Sequence, residues 1–87
     1  MASYELVFKK SVAKDLRPLP QRDVTRILQR IRALASDPRA TGCEKLSSES
    51  RYRVRQGSYR IVYEIVDAKS LVVIFKVGHR RDVYKKK

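Results

Sequence analysis

Eighty-seven residues carry 21 Lys plus Arg against 9 Asp plus Glu, a formal net charge of +12 with the lone histidine neutral. A chain this short buries only about 60–65% of its unfolded surface, so residues 1–87 are expected to form one domain, with no second core and no elaborate active site. The 43% hydrophobic content, with five Tyr and two Phe, is enough for a compact core, so the charge does not imply disorder.

Cys43 is the only cysteine, which excludes an internal disulfide, and one Cys with one His cannot complete a four-ligand zinc site. Met1 to Phe8 contains no basic segment leading into a long apolar stretch, and the longest apolar runs are Ile61–Tyr63 and Leu71–Phe75. Neither a signal peptide nor a membrane span is expected, which makes the cytoplasm the default and a membrane partner unexpected.

Ala2 to Phe8 alternates in part, with Tyr4, Leu6 and Phe8 on one side, and reads as a first strand. Val12, Ala13 and Leu16 then lie at helical spacing until Pro18 and Pro20 stop the run, predicting a helix of about two turns. Between Gln21 and Ser36, the apolar residues Val24, Ile27, Leu28, Ile31, Leu34 and Ala35 form the stripe of an amphipathic helix, which Asp37–Pro38 ends. Its other face carries Arg22, Arg26, Gln29, Arg30 and Arg32, either a solvated surface or a contact with a phosphate backbone. Residues 37–50 are polar apart from Leu46 and read as a loop.

Three β-prone runs follow, Tyr52–Gln56, Tyr59–Val66 and Leu71–Val77, separated by Gly57–Ser58 and by residues 67–70; they predict an antiparallel meander. A two-residue turn with Gly first sets Gln56 opposite Tyr59, Arg55 opposite Arg60, Val54 opposite Ile61, Arg53 opposite Val62 and Tyr52 opposite Tyr63. One face is then apolar, and Arg53, Arg55 and Arg60 share the other. For the next hairpin, a three-residue loop of Asp67 to Lys69 sets Ile61 opposite Phe75, Tyr63 opposite Val73 and Arg60 opposite Lys76. An even loop would place Phe75 beside the arginines, so parity favours the odd one. The expected fold is α+β, with two N-terminal helices on one face of a small, mainly antiparallel sheet. Like charges directly across strands destabilise a sheet, so the arginine face calls for a functional reason.

Residues 51–87 hold eleven of the basic residues and three of the acidic ones, which concentrates the charge on the sheet and on the tail Gly78-His79-Arg80-Arg81-Asp82-Val83-Tyr84-Lys85-Lys86-Lys87. The partner should be a polyanion, with nucleic acid first. No phosphate-cradling glycine motif, no carboxylate pair at Mg²⁺-holding spacing and no H-E-x-x-H occurs, so neither metal nor cofactor is expected. His79 beside Asp82 or Cys43 is better read as polar loop residues than as a nucleophile and base. RNA cleavage by its own 2′-hydroxyl remains open, because it needs only a base, an acid and cations around phosphorus. Tyr84 could serve as the base if Arg80, Arg81 and Lys85 favour its phenolate, or it could simply dock the tail on the core.

Tyr52-Arg53-Val54-Arg55-Gln56-Gly57-Ser58-Tyr59-Arg60-Ile61-Val62-Tyr63-Glu64, followed by Val77-Gly78-His79-Arg80-Arg81-Asp82-Val83-Tyr84, resembles the RelE branch of the RelE/ParE toxin superfamily across nearly the whole chain. The resemblance implies a RelE-like βααβββ fold and the toxin of a type II toxin–antitoxin pair, acting without a cofactor as an endoribonuclease that cleaves mRNA in the ribosomal A site. It implies phosphate-orienting roles for Arg53 and Arg55, charge stabilisation by Arg60, an acid or stabilising role for Arg80, and Tyr84 as base. Arg51, Lys76, His79, Arg81 and Lys85 are the expected RNA contacts, and His79 could share the base's role. Arginine at 53 and 55, where the family commonly has lysine, keeps the charge but removes easy deprotonation. The implied partners are a RelB-like antitoxin, the ribosome with its rRNA, and mRNA, with the free toxin a monomer. A ParE-like inhibitor of DNA gyrase and a non-catalytic RNA- or ribosome-binding protein are the alternatives.

Overall fold

The computed structural model describes residues 3–39, 42–46 and 51–79. Along the chain come strand β1 (Glu5–Phe8), helices α1 (Lys10–Leu16) and α2 (Gln21–Ser36), strands β2 (Glu44–Leu46), β3 (Arg51–Gln56) and β4 (Tyr59–Val66), a 3-10 turn at Asp67–Lys69, and strand β5 (Leu71–His79). The described strands form one sheet in the order β1-β5-β4-β3-β2, antiparallel except where β1 runs parallel to β5. The fold is α+β, and the two helices fall where the prolines and the apolar stripe place them.

Helix α2 buries Ile27, Ile31 and Leu34 against the inward residues of the sheet, Val54, Ile61, Tyr63, Ile65, Val72, Ile74 and Val77. Leu6 of β1 packs at the margin of this core, whereas Phe8 on the same side of the strand is 45% exposed. Beyond Phe8 the chain turns into α1, which takes over the edge of β5. There Ser11 Oγ donates to the Phe75 carbonyl at 3.3 Å, and Asp15 Oδ2 accepts the Val77 N–H at 3.0 Å. Two helix side chains thus satisfy strand backbone groups that a longer β1 would have paired.

The β3–β4 ladder has the register expected from the two-residue turn, with Gly57 at φ 61°, a conformation open to glycine. The β4–β5 register differs from the odd-loop expectation. Val66 pairs with Leu71 across a four-residue loop, and Tyr63 faces Ile74. A bulge between Val62 and Tyr63 then shifts the pairing, so that Val62 faces Lys76, Ile61 faces Val77 and Arg60 faces Gly78. The even loop is held from outside: Ser70, at φ 53°, accepts the Glu5 N–H of β1 at 2.8 Å, and Asp67 takes a forked pair of hydrogen bonds from Arg39 and a third from the Tyr4 hydroxyl. The bulge restores the core by returning Val77 to the side of Val72 and Ile74. Phe75 does lie beside an arginine, and this is tolerated because the Arg51 guanidinium sits 4.2 Å from its ring centroid, with the Lys9 ammonium at 5.2 Å.

The segment read as a loop over residues 37–50 contains the edge strand β2, paired Glu44 to Arg53, Lys45 to Tyr52 and Leu46 to Arg51. Three polar-flanked residues carry no periodicity of their own, so only β3 defines this strand.

Three tyrosines act as clamps. Tyr63, fully buried, donates to the Pro38 carbonyl at 2.7 Å and stacks on Tyr52; Tyr59 donates to Asp23 Oδ2 at 2.9 Å; and Tyr4 donates to Asp67. Burial pushes the Tyr63 hydroxyl well up, and the Asp23 and Asp67 carboxylates raise those of Tyr59 and Tyr4. Each is neutral in the fold but ionises near pH 10 when unfolded, so their stabilisation is complete below about pH 10 and is lost as pH climbs from there towards the folded values. Urea midpoints measured from pH 8 to 11.5 are expected to fall above about pH 10, with a shallower fall in Tyr63→Phe. An equal slope in the variant would place the alkaline sensitivity elsewhere.

Candidate RNA-cleavage site

Alternation along β3 puts Arg51, Arg53 and Arg55 on the sheet face opposite the helices, and the Arg55–Arg60 pairing brings Arg60 to the same face. They are not equivalent. Arg55 is exposed; Arg53 is partly buried and ion-paired with Glu44 of β2; Arg51 covers Phe75; Arg60 is buried at 6% exposure. Glycine stands opposite Arg60 where Lys76 was expected. A buried arginine is held in one direction, the condition for stabilising charge at a fixed point without reorganisation. Arg55 and Arg60 are directly opposed, and like charges across a strand pair repel, here with exposed Arg55 screened by solvent.

Arg55→Thr, which relieves that repulsion and suits a strand, is therefore expected to raise stability by about 0.2–1 kcal/mol while weakening binding to RNA. Thermal melts and salt-dependent binding check both halves; a loss of stability would show that Arg55 is held by favourable contacts and not tolerated for function.

Lys76 stays on the arginine face, but opposite Val62 in place of Arg60. It is half-exposed, and its ammonium lies 4.0 Å from Asp15 Oδ1. His79, by contrast, lies on the other face. It pairs with Tyr59, whose side chain faces the helices, and their rings meet edge to face with centroids 6.0 Å apart. Arg80, Arg81, Tyr84 and Lys85 lie outside the described residues; β5 ends at His79, one position past the glycine opposite Arg60, so the tail starts from the end of the sheet where Arg55 and Arg60 sit.

Among the described tyrosines, Tyr4, Tyr59 and Tyr63 all spend their hydroxyl protons on acceptors and are shifted away from ionisation, which disqualifies them as bases near neutral pH. Among the described residues no three His, Cys, Asp or Glu side chains gather as metal ligands would. The sequence missed Glu44, Asp15 and Asp23. Each is a lone carboxylate whose partner is 9 to 62 residues away, and no local pattern marks such a pairing.

This combination of helical pair, sheet order and arginine face has relatives. The family model for the ParE toxin of the type II toxin–antitoxin system, parDE, matches residues 6–84. The chain belongs to this family. Within it, this RelE/ParE toxin is similar to Toxin RelG of Mycobacterium tuberculosis, 31% identical over 86 residues that span 95% of this chain and 98% of the relative. The toxin also superposes on the crystal structure of the toxin–antitoxin complex RelBE2 from M. tuberculosis, with a TM-score of 0.80 and 29% identity over 91% of this chain and 100% of that one. For the archaeal RelE–RelB complex from Pyrococcus horikoshii OT3 the TM-score is 0.81 and the identity 27%, over 90% and 96% of the two chains. It is a RelE-type toxin of the RelE/ParE superfamily, and its arginine face and tail belong to a type II toxin.

Proposed function

We propose that this RelE-type toxin is a ribosome-dependent endoribonuclease that cuts mRNA in the A site and so inhibits translation. The observation that carries the reading is the convergence of Arg53, Arg55 and buried Arg60 on one sheet face, at the end from which Arg80 and Tyr84 follow. In this chemistry a base, assigned to Tyr84, takes the proton of the 2′-hydroxyl. The 2′-oxygen then bonds to the adjacent phosphorus, and the bond to the 5′-oxygen breaks. Arg80 stabilises or protonates that leaving oxygen, and the products are a 2′,3′-cyclic phosphate and a free 5′-hydroxyl. Arg53, Arg55 and Arg60 neutralise the non-bridging oxygens, a task suited to guanidinium, which stays protonated and forks onto phosphate. Arg51, Arg81 and Lys85 extend the contact to flanking phosphates. The reaction needs no metal, since the nucleophile is built into the substrate.

The similar structures from M. tuberculosis and P. horikoshii are complexes of toxin with antitoxin, which supports a RelB-like antitoxin for this chain. An acidic antitoxin segment over the basic face would block the site by charge and by occupancy. The free toxin is then a monomer acting in the cytoplasm.

Inducible expression with and without the neighbouring open reading frame, followed by primer extension on a translated message, tests the proposal. Growth arrest with codon-phased cuts, relieved by the neighbour, is expected. The ParE description of the matching family model favours one second reading, a gyrase poison that spares RNA. Arrest with DNA damage and intact mRNA would install it.

A further inference from the structure

Two cavities of about 320 Å³ each open on the helix side of the sheet, at the β3–β4 hairpin end, and they share one wall. That wall is the edge-to-face pair of Tyr59 and His79, with ring planes at 80°. Asp23 and Arg26 of α2 line one cavity, and Lys14 and Asp15 of α1 the other. The Tyr59 hydroxyl is bound to Asp23, which fixes the ring, while His79 is exposed at the end of β5. None of these side chains lies on the arginine face.

We propose that the Tyr59–His79 ridge is a stacking platform for an unpaired RNA base, with Arg26 taking the adjoining phosphate. It is a second contact, on the opposite side of the hairpin end from the cleavage site, and it rests on the reading of this toxin as acting on RNA.

Three observations support it. The volume is at the lower end of small-ligand sites, which run roughly 300–1,000 Å³, and suits one nucleotide. The wall chemistry is that of single-strand recognition, in which unstacked bases lie on Tyr or His rings and cations track the backbone. Asp23 keeps an oxygen that Tyr59 does not use, an acceptor for the exocyclic amine of adenine, cytosine or guanine that uracil cannot supply. Tyr59 and Arg60 are chain neighbours on opposite faces, so a strand bending round the hairpin end meets both contacts. Arg26, otherwise a solvated helix residue, gains a role at this ridge.

The test uses the full-length protein and fluorescence anisotropy with a short oligoadenylate and an abasic strand of equal length. The wild type is expected to prefer the base-bearing strand by about fivefold to a hundredfold, the range for one stacked base. His79→Ala should abolish that preference, Tyr59→Phe should keep it, and Arg26→Gln should weaken both strands alike. His79 is exposed at a strand end, so this variant is read even if a larger change at Tyr59 unfolds the chain. On ribosomes, a His79-dependent change in 2-aminopurine placed in the A-site codon assigns the base to mRNA, and a His79-dependent dimethyl sulfate footprint assigns it to rRNA. Equal binding of the two strands by the wild type, or a preference that survives His79→Ala, overturns the platform. Message cleavage without base preference would sink the platform alone; base preference without cleavage would sink the nuclease reading alone.

Discussion

Tyr84→Phe and Arg80→Ala toxins are expected to bind programmed ribosomes and yet cut the message far more slowly, by about 10²–10⁴-fold for loss of the base and about 10²–10³-fold for loss of the charge stabiliser. The argument is electrostatic. A phenol with an ordinary pKa of about 10 is a poor base at neutral pH, so the proposed role requires Arg80, Arg81 and Lys85, its neighbours in sequence, to supply a positive field that favours phenolate. Phenylalanine keeps the ring and any docking contact, so Tyr84→Phe separates a proton acceptor from a packing residue. Arg80→Ala also removes a phosphate contact, and ribosome affinity measured at two salt concentrations separates that loss from the chemical one. Primer extension in a translating extract reads the cleavage. Wild-type cutting by both variants would remove Tyr84 and Arg80 from the chemistry and leave the arginine face as a binding surface.

Ile61→Ala is expected to produce a large loss of stability, about 2–5 kcal/mol, because the side chain is fully buried in the core between α2 and the sheet and surroundings relax only partly over such a cavity. For a domain of this size the total is only about 4–13 kcal/mol, so the melting temperature should drop by roughly 10–30 °C. Ile61 lies on β4 next to Arg60 and opposite Val54, so the same cavity loosens the strand that holds the buried guanidinium. Calorimetry reads the stability. Cleavage assayed below the lowered melting temperature then reports whether the arginine needs that rigidity. A drop under 1 kcal/mol would mean that the sheet repacks over the missing side chain.

The arginine face was legible because the signals behind it are local, whereas Arg80, Arg81, Tyr84 and Lys85 lie outside the described residues. Gly57–Ser58 specifies a two-residue turn, and a two-residue turn determines every pairing along β3 and β4, so Arg53, Arg55 and Arg60 had to share a face. The helix boundaries follow equally from Pro18, Pro20 and Pro38 and from an apolar stripe of period 3.6. The β4–β5 register was not legible, since nothing near Asp67 shows that Arg39 and Tyr4 will hold the loop open by one more residue. Parity reasoning rejected the even loop because it sets Phe75 beside the arginines, without foreseeing that a bulge would rescue Val77 or that Lys9 and Arg51 would cover the ring.

The sequence alone therefore determined the two helices, the strands other than β2, the first hairpin and the sign of the charge, all consequences of steric and hydrophobic preferences acting over a few residues. Only the tertiary structure decided which arginine is buried, which is ion-paired with a carboxylate and which is exposed, and that His79 lies against Tyr59 on the helix side of the sheet. Those outcomes depend on partners many residues away, whose positions exist only once the chain has closed. The +12 is common to every unfolded conformation; the gathering of Arg51, Arg53, Arg55 and Arg60 on one face of the sheet is a property of the fold.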